Sequence, residues 1–259
     1  MRTILIVAIV AAALQAQTTA QDNLNPGVAA FKDGNYSEAF TRFKAAVALD
    51  PALPNALLYL GTAYVQQYVP GVETEENRGY ATAASEAFST ILQTDPKNKL
   101  ATISMASLYY NLKDFKSAEE WNHNVLAIDP SNKEAYYTLG VIPWTEFIGP
   151  DREARNHEQM RPEDPPPLKD SGERAALKAK YWQSLTEGID NEYKALAIDP
   201  TYENAMAYLN LLIRYRADLD DSKEQALADV KEADAWVEKA LKTQKEKAAR
   251  TAQNPQPPH

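Results

Sequence analysis

Apolar residues recur at helical spacing along most of this chain, and the stretches end alike. From Glu173 to Ile198 the positions Leu177, Tyr181, Leu185, Ile189 and Leu196 fall at intervals near ~3.6 residues, which predicts one long helix. A second long helix is predicted from Ser222 to about Ala249, and its charged run KTQKEKAAR suits a solvated end. Four helical stretches stop at an Asp-Pro dipeptide: Asp50-Pro51, Asp95-Pro96, Asp129-Pro130 and Asp199-Pro200. Their run-ups are near copies, VALDP, LQTDP, LAIDP and LAIDP. Pro96 to Pro130 is 34 residues, Pro51 to Pro96 is 45 and Pro130 to Pro200 is 70. A fixed signature returning at such intervals marks a stacked repeat protein.

Between these stops a second pattern repeats. Leu57-x-x-Leu60-Gly61-x-x-Tyr64 is followed by Ala84-x-x-x-Phe88 and Pro96. Before Pro51 the matching positions are Gly27, Ala39, Phe43 and Ala46, with Gly34-Asn35 at the turn. Before Pro130 they are Met105-Ala106, Tyr109, Ala118 and Val125, with Lys113-Asp114 at the turn. There Ala106 replaces glycine and Asn122 stands where Phe is expected, with Trp121 beside it to fill the gap. Tyr136-x-x-Leu139-Gly140 opens a fourth unit, in which Pro143 takes the place of Tyr. A last unit runs from Glu203 through Tyr208-Leu209 to Ala233, Val237 and Ala240. Physically, Gly61 and Ala84 let two helices approach, Tyr64 and Phe88 fill the space between neighbours, and Pro96 forces the chain into the next hairpin.

This pattern resembles the tetratricopeptide repeat over about residues 22–248, apart from two inserts. The resemblance implies an all-α fold, a right-handed superhelical solenoid of about five helix-turn-helix hairpins. The first insert, about 67–79, lies between the helices of the second hairpin. The second, about 143–172, is rich in proline; Pro143 is expected to end or kink its helix near Ile142. Reading the 70-residue gap as two more repeats fails, because Asp151 to Met160 has no apolar face and Pro165-Pro166-Pro167 precludes a helix.

The N-terminus follows a different rule. Arg2 precedes an uncharged apolar run from Ile4 to Leu14, with small residues at Ala16 and Ala20, which predicts a signal peptide over 1–20, cleaved after Ala16 or Ala20. Eleven apolar residues fall short of the ~20 that cross a bilayer, so no transmembrane anchor is expected after cleavage. Export to the periplasm or beyond, from a bacterial host, is the expected localisation. The tail 249–259 is expected to be disordered, leaving 21–248 as one elongated repeat domain. Without Arg2 the chain holds 26 basic and 36 acidic residues, which argues against nucleic acid and anionic membrane as partners. With no cysteine, disulfides and thiolate metal sites are excluded.

Candidate chemistry is sparse. His157-Glu158 opens like a zinc-protease helix, but Arg161 stands where the second histidine belongs. His123 and His259 belong to a helix surface and the tail, and acidic clusters at Glu73–Glu76 and Asp218–Asp221 read as solvated helix starts. No enzyme, cofactor or metal site is expected; a catalytic role would have to gather Glu146, His157 and Glu158. The resemblance places a groove along the first helix of each hairpin. Its positions here are Asn55, Leu58, Thr62 and Val65; Ile103, Ser107 and Tyr110; Tyr137, Val141 and Trp144; and Asn204, Leu211 and Arg214. The basic clamp by which some such domains grip a terminal carboxylate is missing, since Leu58, Thr62, Ile103 and Ser107 stand there. The expected function is a non-enzymatic envelope scaffold that binds a protein or peptide segment through an apolar, aromatic groove. Two alternatives stay open. The proline insert could close a small-molecule or glycan pocket over Trp144 and Tyr137, or Tyr137, Val141 and Trp144 could pack against their own hairpin's long helix. Self-association through the end helices is a further possibility.

Overall fold

Each Asp-Pro dipeptide closes a helix through two separate devices. Proline stops the helix, and the aspartate then secures the turn: the Asp50, Asp129 and Asp199 carboxylates accept the backbone N–H of Ala52, Ser131 and Thr201 at 3.0, 3.1 and 2.9 Å. Lys99 and Lys133 reach across their hairpins to Asp129 and Asp199, the latter pair at 2.6 Å. Those lysine hydrogen bonds are the main reason both carboxyls are lowered to about 2. Helix starts are capped as regularly, by the side chains of Asn35, Asn98, Asp114, Asn132 and Asp170.

The computed structural model describes residues 19–253, and its regular elements there are ten α-helices. They are α1 (Ala20–Lys32), α2 (Tyr36–Leu49), α3 (Pro54–Gln67), α4 (Glu75–Thr94), α5 (Lys99–Asn111), α6 (Phe115–Ile128), α7 (Lys133–His157), α8 (Ser171–Ile198), α9 (Glu203–Ala217) and α10 (Lys223–Gln253). Consecutive helices pair into five hairpins, α1/α2 through α9/α10. The expected signal segment lies outside the described residues except for Thr19 and Ala20, the N-cap and first residue of α1. Of the expected tail, 249–253 continues α10 and the remainder lies outside the described residues.

The first compact unit, up to Pro96, holds two hairpins built on the same aromatic wedge. A Cβ on Gly27 would fall 2.7 Å from the Phe43 ring, and one on Gly61 would fall 2.5 Å from Phe88. Both rings are fully buried, so the Gly–Phe pairs set the distance between α1 and α2 and between α3 and α4. The 67–79 insert is ordered. Asn77 is buried and holds the loop by accepting from Val69 N–H and donating to the carbonyls of Val69 and Val72 at 2.8–2.9 Å.

The second unit, from Lys97, holds three hairpins, and here the expectation about proline fails. Helix α7 runs unbroken through both Pro143 and Pro150 to His157. Pro143 is buried, and its ring packs where α8 offers only Gly188: a Cβ there would meet Pro143 Cγ, Leu212 Cδ2 and the Gly140 carbonyl, each at 3.3 Å. Ile142, Phe147, Asp151 and Ala154 continue the buried face, so tertiary packing outweighs the lost backbone hydrogen bonds. The expectation that 151–160 lacks an apolar face fails too: Ala154 and Met160 are buried in the core, and a buried polar contact lies beside them. Asp151 and Arg155 face Asp218 at the end of α9, and Arg155 grips that carboxylate with Nε and Nη2, both at 2.9 Å. Asp218 and Asp220 are therefore buried, contrary to their reading as solvated. The true insert is the loop 158–170. Leu168 near its end is fully buried and donates its N–H to the Asp218 carbonyl at 3.0 Å.

Candidate functional site

Helix α3 places Asn55, Leu58, Thr62 and Val65 along one side; Asn55 is exposed and the other three are half-buried. In the second unit, α5 carries Ile103, Ser107 and Tyr110, α7 carries Tyr137 and Trp144, and α9 carries Asn204, Leu211 and Arg214, all exposed or half-buried. Val141 differs. It is 3% exposed, packed inside the core, and cannot meet a partner.

Eight residues before each closing proline stands one side chain that faces the first helix of its hairpin: Phe43, Phe88, Asn122 and Glu192. In the third hairpin Ala106 supplies a methyl where glycine made room for a ring, and the shorter Asn122 replaces the ring. The result is a socket of ≈ 220 Å³ lined by Ile103, Ala106, Ser107, Tyr110, Asn122 and Thr138, among others. Trp121 does not fill it; that ring packs with Ile103 and Leu126 on the Ala106–Val125–Ala135 cluster. Asn122 is buried and donates Nδ2 to the Ala118 carbonyl at 2.8 Å. Three predicted groove residues thus surround a recess left by a missing aromatic.

Beyond the socket the wall is aromatic. Tyr137 meets Tyr208 and Tyr202 edge-on at 5.4 and 5.5 Å, and Trp144 meets Tyr208 and Tyr215 at 5.2 and 6.4 Å. Burial raises the Tyr137 and Tyr208 phenols above their ordinary range, so both stay neutral donors. The buried Trp144 Nε1 has no hydrogen-bond partner within the chain. Tyr208 and Tyr215 were missed as site residues, although their spacing from Asn204 and Leu211 puts them on the same helix side. The ring contacts of Tyr137 and Trp144 are Tyr202, the N-cap of α9, and Tyr208 and Tyr215 of α9, and Trp144 also packs on the core cluster that includes Leu185 and Ile189 of α8. The proline loop begins only after α7 has continued 13 residues past Trp144, about 20 Å along the axis, and its Pro165 and Pro166 share a cavity with Leu211 and Tyr215.

The residues of the zinc-like motif do not converge. His157 is exposed and sits 3.2 Å from Glu173, while the Glu158 carboxylate accepts the backbone N–H groups of Lys169 and Asp170. Among the described residues no group of three His, Asp or Glu could hold a metal ion. No described helix is long and apolar enough to cross a membrane.

Family models described as TPR repeat and tetratricopeptide repeat match residues 27–67 and 78–142. Among solved structures, MamA (41 to its end) from Desulfovibrio magneticus RS-1 is 18% identical with a TM-score of 0.56, covering 88% of this chain and 96% of that one. A MamA RS-1 double mutant is also 18% identical, at 0.58 over 89% and 97%. YrrB, described as a TPR protein with an unusual peptide-binding site, is 13% identical at 0.53 over 89% and 94%. No curated protein matches the chain in sequence. At these identities the structural likeness establishes the fold, an all-α solenoid of helical hairpins.

Proposed function

We propose that this chain, a tetratricopeptide-repeat protein, is a non-enzymatic scaffold of the cell envelope that binds a protein or peptide segment through the α5–α7–α9 surface. Tetratricopeptide-repeat proteins bind such partners, and the socket under Asn122 is the observation that carries the reading here. An apolar side chain of the partner enters the socket, while Tyr110, Tyr137 and Tyr208 present ring edges and phenol donors beside it. Such a recess gives one anchoring contact far more weight than the surrounding surface.

Filling the recess tests this directly. The double variant Ala106→Gly, Asn122→Phe rebuilds the Gly–Phe pair of the first two hairpins, so it is expected to fold with equal or higher stability. Its affinity for partners captured from an envelope extract by the wild type is expected to fall at least about tenfold. Undiminished capture by a folded double variant would remove the socket from the reading.

Export belongs to the same proposal, supported by Arg2 and the apolar run Ile4–Leu14. The start of α1 supports cleavage after Ala16 over cleavage after Ala20. Thr19 accepts the Asp22 N–H through its hydroxyl, and Asp22 accepts the Thr19 N–H at 2.8 Å, a capping box at the start of α1. Cleavage after Ala20 would delete a cap of about 1 kcal/mol, whereas cleavage after Ala16 keeps it. Intact-mass analysis of the processed protein is expected to place its first residue at Gln17. A full-length precursor in the envelope fraction would contradict export with cleavage.

A further inference from the structure

A second cavity, of ≈ 570 Å³, lies away from the socket, between the far half of α7, the proline loop, α9 and α10. Its walls are largely apolar, with Ile148, Met160, Leu211, Tyr215, Leu227 and Val230 facing in, and Pro165 and Pro166 of the loop close one side. Its polar floor is out of balance. Asp218 and Asp151 are both buried there, and the single guanidinium of Arg155 serves them unequally. Asp218 takes both strong hydrogen bonds. Asp151 Oδ2 lies 3.8 Å from Arg155 Nε, and Asp151 Oδ1 has no partner although its residue is only 3% exposed. Elsewhere in the lining Glu163 and Asp164 are matched by Arg161 at 3.3 and 2.9 Å and Arg214 by Asp234, so the imbalance is confined to the floor. When Asp151 and Asp218 are both ionised, the floor lacks one positive charge beside Asp151.

We propose that this cavity binds an organic cation, an ammonium or guanidinium on an apolar stem, with the Asp151 carboxylate accepting its proton donor. The stem lies against Leu211, Tyr215 and Val230, and the head completes the charge balance of the floor. The cation has two sources, a lysine or arginine side chain of a bound protein segment or a free amine, and the chemistry of the site is the same for both. Without the ligand, burial first and then the neighbouring Asp218 push the Asp151 carboxyl up to about 8, with Arg155 pulling it down. The groups facing it are Asp218 and Tyr215 on α9, Arg152 and Arg155 on α7, and Asp164 in the loop, while α10 contributes Leu227 and Val230. A cation binds the ionised form, so binding releases a proton and strengthens as pH rises, by up to about tenfold per unit until near the Asp151 pKa.

The test is calorimetry on the full mature chain, in buffers of different ionisation enthalpy, with hexylammonium, hexanoate and Nα-acetyl-lysine methylamide as probes. Saturable binding of a cation at pH 8, with proton release at pH 7 and no binding of hexanoate, is expected. Asp151→Asn is expected to weaken the cation at least about tenfold. Tighter binding of the lysine derivative than of hexylammonium assigns the cation to a partner segment, and the reverse order assigns it to a free amine. Absence of binding by both cations, equal binding of hexanoate, or unaltered affinity in Asp151→Asn would each overturn the proposal. The socket-filling variant keeps this cavity intact and is expected to bind the cation normally, so failure here is separate from failure of the groove.

Discussion

Glu192→Met is expected to raise the stability of this protein at pH 7 by about 3 kcal/mol, an effect that fades toward pH 4.5. Glu192 is fully buried beneath Gly140, and neither carboxylate oxygen finds a hydrogen-bond partner. Burial alone pushes its carboxyl up to about 10. The folded chain therefore holds Glu192 protonated at neutral pH, whereas the unfolded chain ionises it above an ordinary glutamate pKa. A carboxyl raised on folding supports the native state fully below the unfolded pKa, and this support is lost as pH rises toward 10. The loss approaches ~1.4 kcal/mol per pH unit, and methionine removes it together with the two orphan oxygens. Urea titrations of wild type and variant at pH 4.5, 7 and 8.5 read the difference. Glu192→Phe is the companion variant, because Phe43 and Phe88 already fit the same niche under Gly27 and Gly61. A difference between wild type and variant that stays constant from pH 4.5 to 8.5 would show that Glu192 does not titrate as its burial requires.

Position 192 also shows how far the sequence can be read. The recurring Asp-Pro stops and the repeat positions Gly27, Phe43, Gly61 and Phe88 were visible, because each rests on a local rule that its neighbours do not contest, whereas the pairing of each glycine with its ring needed the structure. The register that predicts Phe43 and Phe88 also lands on Glu192, but composition argues against burying a carboxylate without a partner, so the pattern alone did not expose it. Helix α7 was misread for the opposite reason. Pro143 forecast a stop, at ~3 kcal/mol by the local rule, and Pro150 adds a second such cost. The compensation comes from residues distant in sequence: Gly188 and Leu212 receive the Pro143 ring, and Asp218 receives Arg155. Once α7 is continuous, Val141 turns inward, and Tyr208 and Tyr215 become the ring partners of Trp144. Of the predicted groove, the exposed and half-buried side chains of α5 and α9 were legible from repeat register. The socket itself was half legible, since Ala106 and Asn122 were seen to depart from the pattern while their joint effect, an unfilled volume, depends on what Trp121 does.

Arg155→Met is the substitution expected to cost most, about 3–5 kcal/mol at neutral pH. The guanidinium side chain is 15% exposed and faces Asp218, whose side chain is 4% exposed. It also donates Nη1 to the Arg161 carbonyl at 3.0 Å and Nη2 to the Asp164 carbonyl at 3.3 Å, so one side chain fastens the proline loop to the end of α9. Removing it leaves Asp218 and Asp151 buried side by side with no cation between them. Lysine cannot substitute, because a single ammonium lacks the planar fork that meets a carboxylate and two carbonyls together. Burial already raises the Asp218 carboxyl, with Arg155 opposing that rise. The variant should therefore lose most stability at neutral pH and above, and least near pH 4, where protonation relieves the pair. Thermal midpoints at both pH values, with limited proteolysis between Met160 and Lys169, read the global and local parts of the loss. Arg155→Met combined with Asp218→Leu should recover much of it, since both charges then leave the interior together. A single variant that melts within about 1 kcal/mol of wild type at pH 7, with the loop still protected, would mean that the buried pair does not anchor the insert.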